Sequence, residues 1–148
     1  MVLQGRKLAS LGDNVYVKIP ITYTSGQSSL DTISTLSKEG INLNITAVFT
    51  LQQIKTILPS VKDTNTIISV FAGRLFDIGL DATKLMREMS LYIHDNSQCN
   101  LLWASPRMHY DVISAQAADC DIITMTNSMY KKMSLLGTNP EKYSLETV

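Results

Sequence analysis

The sequence has no excess of either charge: thirteen lysines and arginines balance thirteen aspartates and glutamates. With no net field and no long basic run, nothing draws the chain to nucleic acid or to an anionic bilayer, so neither partner is expected. No apolar run approaches the ~18 residues that a membrane span requires, and no basic segment leads into an apolar stretch at the start. A soluble, cytoplasmic protein is the expectation. Cysteine is scarce: Cys99 and Cys120 lie in apolar surroundings without C-x-x-C spacing, as reduced core thiols would. Neither has a histidine base beside it in sequence. His94 and His109 lack H-E-x-x-H or similar ligand spacing, so no metal site is expected. No G-x-G-x-x-G or G-x-x-x-x-G-K-[ST] follows an apolar run, which counts against a nucleotide-binding sheet.

What is present is a regular alternation. The 148 residues are 45% apolar, enough to bury a core, and one globular domain spanning residues 1–148 is expected. Short β-branched runs alternate with segments of helical spacing, the pattern of β/α units. Strands are predicted at Asn14 to Ile19, Ile41 to Phe49, Thr66 to Phe71, Asn100 to Ala104 and Asp121 to Thr124. Between them, Leu30, Ile33 and Leu36 share a helix face, with Ser28 or Ser29 as N-cap and Gly40 at the end. A short helix over Leu51 to Leu58 would be stopped by Pro59. Leu85, Met86, Met89, Tyr92 and Ile93 form the stripe of a third helix, a fourth runs from about His109 to Ala117, and a last carries Met129, Met133 and Leu136 before Gly137. The seven methionines recur at helical spacing and read as core filling. Strands spaced this way pair in parallel, in a doubly wound sheet or in part of an eight-fold barrel.

Residues two apart on a strand share a face. Val15, Val17 and Ile19 fall on one side of the first strand, Tyr16 and Lys18 on the other; Asn42, Asn44 and Thr46 oppose Ile41, Leu43 and Ile45 on the second. Ser69 opposes Ile68 and Val70, and Ser105 with Arg107 opposes Leu102 and Ala104. Unpaired polar groups buried in a core cost roughly 1 to 3 kcal/mol each, whereas a barrel lumen opening on a polar substrate removes that cost. Lys18, within VYVKIP, suits an edge-strand lysine reaching water; it also suits a nucleophile, if desolvation and neighbouring cations such as Arg74 or Arg107 favour the neutral amine that attacks a ketone. Arg74 and Arg107, each just after a strand, could hold a phosphate bidentately with the Ser105 hydroxyl beside them, or could pair with Asp77 or Asp111.

Four blocks, VYVKIPIT, SKEGINLNITAVFTLQQ, SVFAGRLFDIG and LLWASPR, resemble the transaldolases in order and approximate spacing, and especially the short type that includes the fructose-6-phosphate aldolases. The resemblance implies an α/β fold, a partial TIM (β/α)8 barrel whose units match strands four to eight, and a transferase of carbohydrate metabolism. It implies that Lys18 is the Schiff-base lysine, that Asn44 holds a substrate hydroxyl and that Thr46 helps position the catalytic water. Ser69 would contact the dihydroxyacetone end, and Arg74, Ser105 and Arg107 would hold the sugar phosphate. Phe71 stands where the aldolase branch tends to carry a tyrosine, which looks like the transaldolase state.

The reaction implied is transfer of a dihydroxyacetone unit, from sedoheptulose 7-phosphate to glyceraldehyde 3-phosphate, giving erythrose 4-phosphate and fructose 6-phosphate in the pentose phosphate pathway. Neither metal nor organic cofactor is required, and a homo-oligomer is possible by the same resemblance. Met1 to Gly12 resembles the end of the barrel's third helix and YSLETV the start of its C-terminal helix. The strands that carry an aspartate and a glutamate for proton handling in the family have no counterpart in this sequence, and the chain reads as a fragment. Two other functions stay open: fructose-6-phosphate aldolase activity, and a non-catalytic sugar phosphate-binding partial barrel.

Overall fold

The computed structural model describes residues 1–148. Five parallel strands, β1 (Val17–Pro20), β2 (Leu43–Val48), β3 (Ile67–Val70), β4 (Asn100–Trp103) and β5 (Ile122–Ile123), lie side by side in chain order. The intervening helices are α2 (Leu30–Lys38), α3 (Leu51–Val61), α4 (Ala72–Asp77), α5 (Ala82–Asn96) and α6 (Asp111–Ala117); α1 (Val2–Ala9) precedes the sheet, and α7 (Asn127–Lys132) and α8 (Pro140–Thr147) follow it. A parallel crossover is almost always right-handed, so strands that always step the same way put their helices on one face. The helices accordingly pack in a row, α1 on α2, α2 on α3, α3 on α5 and α5 on α6. A doubly wound sheet reverses its strand order and takes helices on both faces; this one follows the arc of a β/α barrel.

The core lies between the sheet and that row of helices. Val17 and Ile19 of β1, Leu43 and Ile45 of β2, Ile68 and Val70 of β3, and Leu101 and Trp103 of β4 point into it, against Ile33 and Leu36 of α2, Ile54 and Ile57 of α3, and Met86 and Ile93 of α5. Of the seven methionines expected to fill the core, only Met86 and Met89 are buried; Met125, Met129 and Met133 are half-buried, and Met1 and Met108 are exposed. Burying side chains of this size contributes about 1.5 to 3 kcal/mol each, which the isolated short helices could not supply from propensity.

Local chemistry sets the ends. Thr50 opens α3 with a capping box: its Oγ1 accepts from the Gln53 N–H (3.1 Å), and Gln53 Oε1 accepts from the Thr50 N–H (3.0 Å). Ser29 is the N-cap of α2 but turns its hydroxyl to the Pro20 carbonyl, while Ser28 Oγ accepts from the Leu30 N–H. Gly40, at φ +73°, ends the turn after α2 in the left-handed region glycine favours.

Several expectations are corrected. Pro59 does not stop α3, which runs on to Val61. With only two residues beyond it, little helix remains to be disrupted, and burial of Leu58 and Val61 holds the last turn in place. The fourth predicted helix begins at Asp111 because His109 and Tyr110 form a turn, and the last predicted helix breaks after Lys132 into a 3₁₀ turn over Met133–Leu135. The short α4 was not predicted at all. On β4 the faces are the reverse of the expected ones. Leu101 and Trp103 face the helices and Leu102 the other side, in register with Ser69. The strand ends at Trp103, and Ser105 turns the chain at φ +59°, so alternation does not extend to Ser105 or Arg107.

Two predictions follow from the packing. Burial, reinforced by the charges of Asp121 and Asp119, pushes the Cys120 thiol up to about 12, and burial raises Cys99 also. Both thiols are then protonated at pH 8, so alkylation by iodoacetamide should run roughly a hundredfold or more slower in the native chain than in urea. A Cβ on Gly73 would overlap the carbonyl oxygen of Ser105. Gly73→Ala must therefore push α4 off the β4 loop, and should cost roughly 2 to 3 kcal/mol, read as a fall in Tm of roughly 5 to 10 °C.

Candidate functional site

The sheet face away from the helices carries the polar residues. Lys18 projects from β1 between the buried Val17 and Ile19, and its own side chain is exposed. The desolvation expected around it is therefore not provided by this chain. Parallel register sets Lys18 beside Asn44 of β2. From β3, the buried Ser69 donates its hydroxyl to Asn44 Oδ1 at 2.7 Å. With its oxygen so engaged, the Asn44 amide is oriented, and its N–H₂ is left to donate to a ligand hydroxyl.

Thr46, two residues on, lies beside Pro20 in register. Beyond it the β2–β3 pairing shifts, with Ala47 at φ +59°, so that Val48 returns to the core side. Thr46 Oγ1 is left buried with no hydrogen-bond partner in the protein. A buried hydroxyl in that condition loses roughly 1 to 3 kcal/mol unless a water or ligand meets it; the other buried side-chain atom without a partner is Trp103 Nε1, in the core.

A second group gathers past the ends of β3 and β4. Phe71 is the N-cap of α4; its ring packs at 5.8 Å against Phe49, and the Arg74 guanidinium lies 5.5 Å from its centroid. Gly73 N–H donates to the Ala104 carbonyl (3.3 Å), which ties α4 to the loop after β4. That loop carries Ser105 and Arg107. Its backbone is held by the buried Asp111, whose Oδ2 accepts from the N–H groups of Arg107 (2.6 Å) and Met108 (3.3 Å). Arg107 Nε donates to Asp77 Oδ1 (3.0 Å) and its Nη2 to Asp77 Oδ2, a two-point fork. The hydrogen bond from Arg107 holds the Asp77 carboxyl below its usual range, with the charges of Arg107 and Arg74 acting in the same direction against desolvation; Asp77 in turn raises Arg107. Arg74 has no ion-pair partner within 4 Å.

The structure thus brings Lys18, Asn44, Thr46 and Ser69 onto one face, and Arg74, Ser105 and Arg107 to one end of it, with Phe71 under Arg74. Of the two carboxylates considered for the arginines, Asp77 takes the Arg107 side chain and Asp111 takes the backbone. Gly73 was not singled out in the sequence, although a glycine beside an arginine after an apolar run was a signal of close backbone approach. His94 is a brace: its Nε2 lies 2.9 Å from Asp121 Oδ2, and its Nδ1 lies 3.3 Å from Ser90 Oγ. No three His, Cys, Asp or Glu side chains are grouped to hold a metal ion, and no helix is long and apolar enough to cross a membrane.

The chain has relatives among known proteins. A "Probable transaldolase" of Streptococcus pyogenes serotype M5 (strain Manfredo) is 38% identical over 149 aligned residues, 99% of this chain and 66% of that protein. A "Probable transaldolase" of Hydrogenobaculum sp. (strain Y04AAS1) is 36% identical over 126 residues, 84% of this chain and 55% of that protein. The chain therefore spans between about half and two thirds of the length of these curated relatives. The family described as Transaldolase/Fructose-6-phosphate aldolase matches residues 1–147. By that match and by these relatives, and with the five-stranded parallel sheet in keeping, the chain belongs to the transaldolase/fructose-6-phosphate aldolase family.

Proposed function

We propose a Schiff-base transaldolase activity for this protein, with Lys18 as the nucleophile. The observation that carries the reading is the placement of Lys18 in register with Asn44, itself oriented by Ser69, on the sheet face turned away from the helices. A lysine serving only to protect a sheet edge has no need of an oriented amide beside it.

The chemistry assigned to these residues is as follows. The neutral amine of Lys18 adds to the ketone carbon of fructose 6-phosphate or sedoheptulose 7-phosphate, and the carbinolamine loses water to give an iminium. The bond between C3 and C4 then breaks, its electron pair flows into the iminium to form an enamine, and an aldose phosphate departs. The proton lost from the C4 hydroxyl passes to a carboxylate, which the family resemblance puts on strands that this chain does not span. The enamine adds to the aldehyde of a second aldose phosphate, and hydrolysis frees Lys18.

Asn44 donates to a hydroxyl of the bound sugar. Thr46 Oγ1, unpartnered within the protein, is suited to hold the water of imine formation and hydrolysis. Ser69 meets the dihydroxyacetone end while it fixes Asn44. Arg74, Ser105 and Arg107 take the phosphate, and the exposed guanidiniums and their grouping at the C-terminal ends of β3 and β4 support that role. The substrates would be those of the pentose phosphate pathway, in the cytoplasm.

Two experiments test the reading. Incubation with fructose 6-phosphate and sodium borohydride should give a stable mass adduct that maps to Lys18 and disappears in Lys18→Ala. A folded protein that forms no adduct, yet is stabilised by phosphate through Arg74 and Arg107, would instead be a non-catalytic binding module. In the complete protein Phe71→Tyr should raise acceptor-independent cleavage of fructose 6-phosphate by roughly tenfold or more, since a phenol adds a proton-transfer group at the enamine. Abundant cleavage by the parent without an acceptor would make fructose-6-phosphate aldolase the better assignment.

A further inference from the structure

We propose that Asp77 is a positioning residue for the anion of the substrate, holding Arg107 side-on so that the end of its guanidinium is presented to a phosphate. The inference rests on the sugar phosphate reading of this site.

A guanidinium offers five N–H groups in a rigid plane. Asp77 engages the side edge, Nε and Nη2, with one oxygen each. Both N–H groups of Nη1 and the second of Nη2 remain, and the end edge they form is itself a fork that a phosphate accepts at two points. The Arg107 guanidinium makes its only side-chain hydrogen bonds and ion pair with Asp77; Asp111 bonds its backbone N–H. Half-exposed as it is, Arg107 without Asp77 would turn freely in solvent and would lose that freedom on binding.

Asp77 is itself well placed to serve as an anchor. It stands three residues after Arg74 on α4, so both lie on one face of that helix, and α4 is seated against the β4 loop at Gly73 and Ala104. The charge of Arg74 also acts on the Asp77 carboxyl, in the same direction as that of Arg107. Arg74, which has no ion pair, supplies the second cation.

The opposite role is equally concrete: Asp77 could compete with the phosphate for Arg107. The two roles differ in sign. Loss of the Asp77 charge weakens anion binding if it positions Arg107 and tightens it if it competes.

The test is calorimetric titration of inorganic phosphate into the complete protein and its Arg107→Ala, Asp77→Asn and doubly substituted forms, with far-UV circular dichroism to check folding. Arg107→Ala should weaken binding about tenfold or more, Asp77→Asn about fivefold, and Asp77→Asn should change affinity less than about twofold once Arg107 is gone. Asp77→Glu, which keeps the carboxylate and can rebuild the fork, should bind within about threefold of the parent and serves also if Asp77→Asn does not fold. Absence of phosphate binding in the parent, or indifference to Arg107→Ala, defeats the sugar phosphate reading and this inference with it. A phosphate site that depends on Arg107 but is unchanged or tightened by Asp77→Asn leaves that reading intact and overturns the inference. An equal loss from Asp77→Asn in the absence of Arg107 also overturns it, because Asp77 would then act on the fold and not through Arg107.

Discussion

The arrangement of the site depends on one close approach of backbone to backbone, where Gly73 lies against the Ser105 carbonyl with no room for a side chain between them. The contact joins the first turn after β3 to the first turn after β4. Arg74 and Asp77 come from the one, Ser105 and Arg107 from the other. Thirty residues separate Asp77 from Arg107 in sequence, and without this seat their fork would have no fixed geometry. Close packing of this kind transmits position as an ion pair between exposed side chains cannot, because it tolerates displacements of only tenths of an ångström.

A second constraint follows from strand order. Because each strand is laid beside its predecessor in the same sense, the helices that connect them pack in a row on one face of the sheet. The other face is less fully packed: Lys18 is exposed and Asn44 half-buried, while Ser69 is buried and bonded to Asn44. Lysine, asparagine, threonine and serine can therefore stand on strands whose alternate positions are among the most deeply buried in the molecule. In an ordinary two-layer core the same residues would each need a partner.

Much of this was legible in the sequence, because alternation is a strong signal where strands are regular. In β1, β2 and β3 the faces of Lys18, Asn44, Thr46 and Ser69 follow from the burial of Val17, Leu43, Ile45 and Ile68 on the other side. The same rule failed on β4, where the strand ends at Trp103 and Ser105 takes a left-handed conformation that resets the direction of the side chains beyond it. The six-residue α4 was illegible because it has too few turns to show a period, and its apolar residues merge with those of β3. Asp77 and Asp111 were both plausible partners for an arginine. Only the seating of α4 decided between them, since Asp111, at the first turn of α6, is drawn inward to cap the loop's own amides.

The unpartnered hydroxyl of Thr46 has a consequence for how such a chain can change over time. A valine there would have nearly the same shape and would relieve the cost of an unmet buried oxygen, so selection for robustness alone would favour it. Asn44 and Ser69 stand in a similar position, as polar groups bonded to one another where an apolar pair could pack. Stability that natural proteins leave unclaimed is commonly found where function forbids the better-packed residue. An engineer who hardened this chain by packing statistics would be led first to these three positions, and on the function proposed above each gain in melting temperature there would be taken from the site itself.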